Sequence, residues 1–456
     1  MAKIFLIDAS LVAPDAPFVA QPVGLLSIAS VLRNAGHQLA VHDCKLGTRS
    51  LPRRLREFRP DFVGIRGLTL YRDFLEDIAR LSRGLCPDAV VVIGGPHPTT
   101  QAKQALLQTD ADLAVLGEGE ETFREVIEVM SAGETLEAVK GVAWLEDGEL
   151  VITEPRPPIE DLDSLPMPAY DLVPMEEYFR MSHASTAPSG RSLTMVTTRG
   201  CPYGCSFCHN IFGQRFRARS PGALVEELLY LKDRYQFEEV EFHDDCFNLL
   251  RDRTLDFSRR MQEKGSPLLI AFPNGLRGDL LDREVLTELR RAGTHHLGVA
   301  PETASERLQR MLGKNMKLDR LLAAAEISVE LGIFTQGFFM LGFPGETEEE
   351  LKATVDMACN TSLHIASFHV VNPVPGTRLW QQASESGRVD ADPKLRGYSQ
   401  VNVNLTAVSD ERFRAIWKGA YRRFYMNPRR LASIFRDVPA KSLLFRNGLF
   451  TLKRLI

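Results

Sequence analysis

The sequence predicts an α/β protein of two domains: a doubly wound parallel sheet, then a partial (β/α)6 barrel, with a short helical region at the C-terminal end. A chain of 456 residues is too long for one core of ordinary size. Short apolar runs alternate with amphipathic helical segments on both sides of a proline-rich stretch, which is typical of parallel sheets. We place the boundaries at residues 1–150, 151–190 (linker), 191–400 and 401–456.

In the first domain, Lys3–Asp8 is an apolar run typical of a buried strand. Residues 22–35 follow with helical spacing and stop at Gly36, which suits the position after a helix C-terminus. Further strands are predicted at 37–43, 62–66, 89–93 and 113–116, and further helices at 52–58, 73–81 and 101–107. This order indicates a Rossmann-like sheet, whose ligands lie off the carboxyl ends of the strands.

The linker contains Pro155, Pro157, Pro158, Pro166 and Pro168. Its apolar residues show neither the helical nor the strand period, so we predict an extended connector. In the barrel region, strands are predicted at 192–197, 239–243, 268–272, 296–300, 334–340 and 365–371. Helices are predicted at 221–234, 255–264, 283–292, 318–331 and 348–357. Polar or glycine residues follow strand after strand, which places a site at the carboxyl ends.

The C-terminal region is predicted to contain helices at 410–425 and 428–435, with basic pairs and an apolar stretch at 443–455. A peripheral membrane contact is one interpretation. We favour a helix packed over the open side of the barrel with a solvated cationic face.

Composition excludes several classes of protein. The net charge of −4 gives no basic field for nucleic acid, and no apolar run is long enough to form an integral membrane segment. The N-terminus leads straight into a strand rather than a signal peptide. Of seven cysteines, three are clustered and four are scattered singly, which argues against disulfides and predicts a cytoplasmic protein.

The segment Arg199–Asn210 contains Cys201, Cys205 and Cys208 at spacings of four and three. Thiolates are the ligands that soft metals and iron–sulfur clusters select. Glycine and proline residues keep the segment in a loop that can wrap a cluster. Zinc is the alternative, but it needs a fourth ligand, and His209 directly beside Cys208 is badly placed for that.

These cysteines, with Phe207 just before the last, resemble the signature of the radical S-adenosylmethionine (SAM) superfamily. The resemblance implies a [4Fe–4S] cluster held by three cysteines, whose fourth iron chelates the amino and carboxylate groups of SAM. An electron from the cluster then cleaves SAM to methionine and a 5′-deoxyadenosyl radical. It also implies a small-molecule substrate and an electron donor of the flavodoxin or ferredoxin type.

The same resemblance assigns SAM contacts to residues at the ends of barrel strands. They are Phe207 and Phe343 on the adenine side, Asp244 and Asp245 at the amino group, Asn274 and Arg277 at the carboxylate or ribose, and Glu302 at the ribose. Carboxylates can accept charge-assisted hydrogen bonds from an ammonium, and arginine pairs well with a carboxylate. The alternative for each charged residue is solvation or an ion pair with a helix end.

Two loops of the first domain, Gly94–Thr99 and Gly117–Glu120, follow predicted strands. They are similar to loops of the cobalamin-binding domain that precedes the radical SAM domain in class B methyltransferases and anaerobic magnesium-protoporphyrin ester cyclases. The resemblance implies cobalamin, with Gly94 and Gly95 along the nucleotide tail and Thr69 on the neighbouring loop. One feature departs from the methionine-synthase pattern: the loop after Asp8 has no cobalt-ligating histidine. A domain that kept the fold and lost the cofactor is the alternative.

We therefore expect a radical SAM enzyme that methylates a carbon of a small secondary metabolite or lipid through cobalamin. One alternative is a cobalamin-independent dehydratase, lyase or oxidative cyclase acting on a sugar or other small molecule. Another is a non-catalytic metal-binding protein.

Overall fold

The first sheet is made of short apolar strands, most of them buried on both faces, as a parallel sheet covered by helices requires. The computed structural model describes residues 1–12, 18–181, 183–184, 190–265, 267–389, 403–439 and 441. The strands are β1 (Lys3–Ala9), β2 (Gln38–Asp43), β3 (Phe62–Gly67), β4 (Val90–Gly94), β5 (Leu113–Val115), β6 (Val142–Glu146) and β7 (Glu149–Ile152). Their order is β2-β1-β3-β4-β5-β6-β7, and the first five are parallel.

Helices cover this sheet: α1 (Val23–Asn34), α2 (Leu51–Phe58), α3 (Arg72–Leu85), α4 (Pro96–Thr100), α5 (Ala102–Gln108), α6 (Gly119–Ser131) and, after the sheet, α7 (Met175–Phe179). Gly36 follows α1 with φ +86°, as predicted for a residue after a helix end. The strand order reverses between β1 and β3, and in such sheets ligands bind at the carboxyl ends beside that point.

The antiparallel hairpin β6–β7 was not predicted, although a signal for it is present. Asp147 and Gly148 connect the two strands with φ of +51° and +82°. An Asp-Gly pair between alternating apolar residues is a strong local signal for a tight hairpin. It was overlooked because the preceding residues alternate regularly between strands and helices.

The second sheet has six parallel strands in chain order, which confirms the predicted (β/α)6 partial barrel. The strands are β8 (Ser192–Met195), β11 (Glu239–Phe242), β12 (Leu269–Leu276), β13 (Thr294–Glu302), β14 (Phe334–Leu341) and β15 (Ile365–Val370), with two-residue strands β9 (Thr198–Arg199) and β10 (Arg217–Ala218) after β8. The helices are α8 (Pro221–Tyr235), α9 (Arg251–Glu263), α10 (Arg283–Arg291), α11 (Glu306–Met311), α12 (Leu318–Glu330) and α13 (Glu348–Cys359). Strands β12 and β13 run further than predicted, and register shifts interrupt their pairing.

Three helices follow the barrel: α14 (Arg378–Glu385), α15 (Asp410–Tyr425) and α16 (Pro428–Asp437). Helix α15 packs on β15, as expected for a helix over the open side of the barrel. The Tyr421 and Tyr425 hydroxyls form hydrogen bonds with backbone groups at the free edge of that strand. The apolar stretch 443–455 lies outside the described residues. Among the helices that the structure describes, none combines the length and apolar character needed to cross a membrane.

The chain forms two compact units. The first comprises Met1–Met181 and His209–Arg217, and the second comprises Ser182–Cys208 and Ala218–Ile456. The predicted boundaries at 150, 190 and 400 remain predictions.

Candidate active site

The three-cysteine segment follows β8 as an irregular loop in the second unit. Gly200 has φ +84°, a left-handed conformation that glycine adopts without strain. No three His, Cys, Asp or Glu side chains of the described residues are spaced to hold a single metal ion. In an iron–sulfur cluster each thiolate binds a separate iron. The three thiols of this irregular loop supply the kind of donor that such a cluster takes.

Burial raises the pKa of Cys201 and Cys205, and it raises that of Cys208 to about 12. The thiols are therefore protonated at neutral pH without metal, and iron must displace the protons.

Asp244 and Asp245, at the end of β11, have different surroundings. Asp244 is buried and accepts hydrogen bonds from Thr197 N at 2.5 Å, Thr198 N at 2.9 Å and Thr197 Oγ1 at 2.6 Å. Arg253 also donates to Thr197 Oγ1, at 3.0 Å. Asp244 thus fixes the chain just before the cysteine loop.

Asp245 is exposed and makes no side-chain hydrogen bond or ion pair with the described residues. Desolvation by its surroundings, together with the adjacent Asp244 charge, raises the pKa of Asp245 to about 6. At neutral pH this carboxylate is ionised and available to an ammonium group.

Glu302 ends β13 with φ +64°, an unusual conformation for a residue other than glycine. Its Oε1 lies 2.6 Å from Lys314 Nζ, and each side chain is only 10% exposed. A strained residue at the end of a barrel strand is consistent with a functional position. Lys314 was not predicted, because nothing in the local sequence pattern pairs it with Glu302.

Asn274 lies near the end of β12, and Arg277 directly follows that strand. Arg277 Nε donates to Asp279 Oδ1 at 2.7 Å, and its guanidinium carbon lies 3.5 Å from the ring centroid of Tyr203, inside the cysteine loop. Asn274 Nδ2 donates to the Asp244 carbonyl at 2.9 Å. Both residues therefore lie near the loop, with Arg277 already paired to a carboxylate.

The predicted adenine-side aromatics come together, with Phe207 and Phe343 ring centroids 6.2 Å apart. Glu346, which the sequence analysis also missed, fixes this segment because its Oε2 accepts hydrogen bonds from Gly342 N at 2.7 Å and Phe343 N at 3.0 Å. Burial raises the pKa of Glu346 to about 7.

A further pair lies on β11. Val240 and Phe242 are buried, and Phe242 packs on Phe257 of α9. Alternation turns Glu241 to the other face, inside the barrel. Glu241 Oε2 lies 3.0 Å from Nε2 of His243, which follows the strand and is 24% exposed. The pair offers polar groups to a molecule inside the barrel.

In the first unit, the predicted cobalamin residues lie at the carboxyl ends of β3 and β4. Thr69 Oγ1 is buried and has no hydrogen-bond partner among the described residues, so a ligand there would satisfy it. Gly95 has φ +89°, and a Cβ on it would lie 3.1 Å from Arg66 Cγ. Gly94 is less crowded, since its nearest contact would be Val115 O at 3.5 Å. These features fit a large ligand close to the backbone.

The same edge holds a buried ion network. Asp8 Oδ2 lies 3.0 Å from Lys45 Nζ and 3.1 Å from Arg66 Nη1. Ser10 Oγ donates a hydrogen bond to Asp8 Oδ1 at 2.5 Å. Burial alone would raise the pKa of Asp8, but Arg66 and Lys45 outweigh it and hold the pKa at about 2. Asp8 therefore stays ionised. Residues 13–17 of the following loop lie outside the described residues.

Comparisons with known proteins agree with both halves of this description. Residues 195–358 match the Radical SAM superfamily, and residues 10–127 match the B12 binding domain. The uncharacterized methyltransferase PH0819 of Pyrococcus horikoshii is 31% identical over 90% of this chain and 88% of its own. Cytidylyl-2-hydroxyethylphosphonate methyltransferase of Streptomyces wedmorensis is 28% identical over 90% and 87%. The anaerobic magnesium-protoporphyrin IX monomethyl ester cyclase of Cereibacter sphaeroides is 27% identical over 89% and 67%.

Solved structures share the fold. The methyltransferase TsrM of Kitasatospora setae, with cobalamin and a [4Fe–4S] cluster bound, superposes with a TM-score of 0.71 at 20% identity, covering 85% of this chain and 75% of its own. OxsB, with aqua-cobalamin and SAM bound, gives 0.73 at 15% identity, covering 99% and 72%. The two matched domains confirm the predicted cofactors, namely a [4Fe–4S] cluster, SAM and cobalamin. The chain belongs to the family of radical SAM enzymes that carry an N-terminal B12-binding domain, in which its relatives include methyltransferases.

Proposed function

We propose that this enzyme transfers a methyl group to a carbon of a small molecule after abstraction of a hydrogen atom from that carbon. When bound, the cluster with SAM would supply the radical chemistry and cobalamin the methyl group. One observation carries the proposal: a single chain contains a loop of three thiols in its barrel and, in its other unit, a hydroxyl after β3, that of Thr69, with no hydrogen-bond partner among the described residues.

Within the barrel, Cys201, Cys205 and Cys208 would hold three irons. Asp245 would accept the SAM ammonium, because its carboxylate is exposed and is not engaged by any of the described residues. Asp244 instead would orient the loop through Thr197. The Phe207–Phe343 pair would provide an apolar surface for adenine.

Arg277, Asn274 and Glu302 line the same end of the barrel and remain candidates for the SAM carboxylate and ribose. Lys314 would hold Glu302 in place through the 2.6 Å ion pair. In the first unit, Gly94, Gly95 and Thr69 would contact the nucleotide tail of cobalamin.

The barrel interior indicates what kind of substrate enters it. Glu241 and His243 present an acceptor that suits a hydroxyl or amino group. Phe338 and His369 stack with ring centroids 6.2 Å apart on the neighbouring strands. We therefore expect a small molecule with a hydrogen-bond donor.

The test uses anaerobically purified protein reconstituted with iron, sulfide and hydroxocobalamin. With a flavodoxin-type reductant and SAM, we expect 5′-deoxyadenosine, and Cys205→Ala should abolish it. When the methyl group of SAM is CD3, a methylated product should contain the CD3 group. A product that forms without the label and without need for cobalamin would identify the dehydratase, lyase or cyclase alternative. Absence of 5′-deoxyadenosine would contradict the radical mechanism.

A further inference from the structure

The main chain of the cysteine loop is held by two segments far away in sequence. Ser206, between the second and third cysteines, donates its N–H to the Leu312 carbonyl at 2.8 Å. Its carbonyl accepts the N–H of Leu379, also at 2.8 Å. Both polar groups of this residue are therefore fixed by the rest of the barrel unit.

The residue before Cys205 is fixed as well. The Gly204 carbonyl accepts a hydrogen bond from the Arg378 guanidinium. Gly313 lies against the same carbonyl, and a Cβ on Gly313 would come within 2.8 Å of that oxygen. Real Cβ atoms do not approach a backbone oxygen so closely, so a side chain here must displace the loop.

We propose that the Leu312–Gly313 turn and the start of α14 form a clamp that holds the cysteine loop in its cluster-binding shape, with Gly313 and Arg378 as positioning residues. A loop already ordered by the protein does not lose its conformational freedom when the cluster binds, so assembly is favoured and the thiolates keep a defined geometry. The proposal rests on the assignment of the cluster to this loop.

The chain offers a matched control for Gly313. Gly332 has φ +72°, close to the +69° of Gly313, and it also follows a barrel helix. A Cβ on Gly332 would meet no atom of the described residues within 4 Å. Gly313→Ala and Gly332→Ala therefore share the backbone strain of alanine in the left-handed region, but only the first pushes on the loop.

The experiment measures iron and sulfide per chain after reconstitution, the rate of iron loss to a chelator, the electron paramagnetic resonance spectrum of the reduced cluster, and thermal unfolding. Gly313→Ala should lose iron about fivefold faster or more than Gly332→Ala, while the two variants unfold at similar temperatures. Arg378→Gln should show the same loss, with the exposed Arg310→Gln as its control.

The proposal is overturned if Gly313→Ala and Arg378→Gln retain iron like the unchanged enzyme, or if Gly332→Ala loses it equally fast. If Gly313→Ala does not fold, Arg378→Gln alone decides, because it removes an exposed side chain. An unchanged protein that binds no iron would contradict the cluster assignment itself, and so the proposed function, rather than the clamp.

Discussion

Two adjacent carboxylates in this site do different work because their surroundings differ. Asp244 is buried, and its two oxygens accept three hydrogen bonds from Thr197 and Thr198. Asp245 is exposed and makes none with the residues that the structure describes. Two identical neighbours in the sequence thus have different surroundings, and only Asp244 is engaged in fixing the loop.

Replacing Asp245 by Asn should weaken SAM binding about 10-fold or more, because a charged hydrogen bond to the ammonium becomes a neutral one. The pKa of about 6 adds a pH effect. In the unchanged protein SAM affinity should fall as the pH drops through this value, since the carboxylate is then protonated, and Asp245→Asn should show no such change. Calorimetry of SAM binding to the reconstituted protein measures both; unaltered affinity would exclude the contact.

Asp244→Asn should act on the fold and cluster rather than on SAM affinity. An amide cannot accept all the N–H and O–H donors that surround this side chain, so the variant leaves buried groups unsatisfied. We expect a loss of about 2–3 kcal/mol in the free energy of unfolding, measured by urea denaturation of the metal-free protein, with Asp245→Asn as the neighbouring control. A variant as stable as the control would contradict the anchoring role.

Glu346 should make stability depend on pH. Its pKa is about 7 in the folded protein against an ordinary 4.5, so the folded state binds the proton more tightly. The stabilisation is complete below the ordinary value and is lost as the pH rises through about 7.

Glu346→Gln keeps an acceptor for Gly342 and Phe343 but cannot ionise. Between about pH 5 and pH 8 its free energy of unfolding should fall less than that of the unchanged protein, by at most about 3 kcal/mol. Urea denaturation across this range tests it, with the exposed Glu349→Gln as control. Parallel pH profiles for all three proteins would show that the carboxyl titrates normally.

Among the candidate site residues, those predicted from the sequence are ones whose signal is local. The cysteines lie within eight positions, and Asp245 and Phe343 lie within three residues of strand ends. Lys314, Gly313 and Arg378 act on residues that are distant in the chain, at separations of 12, 109 and 174 positions. No pattern within a window of the sequence reports such contacts.

At the scale of elements, the last barrel strand presents an open edge that α15 covers. The Tyr425 hydroxyl accepts from Ala366 N at 3.2 Å and lies 3.0 Å from Ala366 O, and Tyr421 does the same for Phe368 at 3.1 Å. Trp417 Nε1 also donates to the Phe368 carbonyl, at 2.8 Å. These groups occupy the positions of a missing seventh strand and limit edge-to-edge association.

The double variant Tyr421→Phe, Tyr425→Phe should therefore lose about 2–6 kcal/mol of stability, since each change unpairs buried backbone groups at about 1–3 kcal/mol. It should also self-associate more. Urea denaturation and sedimentation test these two effects, with the exposed Tyr230→Phe as control. A monomeric variant of unchanged stability would show that the phenols do not protect the edge.

The fold itself was predictable at this scale because the spacing of apolar residues and the length of each segment are enough to identify strands that alternate with helices. The (β/α)6 barrel followed from six such units. The edge protection by Tyr421 and Tyr425 did not, because the helical spacing of the aromatic residues in α15 shows only that they share a face. Which backbone groups they bond depends on the docking of that helix.

At the scale of the whole molecule, the proposed function assigns the cluster to one unit and the cobalamin contacts to the other, so each cofactor should be removable without the other. Thr69→Val deletes, at nearly constant volume, a hydroxyl that has no hydrogen-bond partner among the described residues. It should reduce cobalamin affinity about fivefold, the value of one neutral hydrogen bond. Its iron content should not change. Cys205→Ala should reverse the pattern, with iron lost and the corrinoid absorption band retained. The measurements are iron analysis and visible spectroscopy on the same reconstituted samples.

If Thr69→Val lowers iron as much as cobalamin, the residue supports the fold rather than the corrinoid. If it changes neither, cobalamin does not contact this hydroxyl, and the carboxyl end of β4 would be left to hold the nucleotide tail without it.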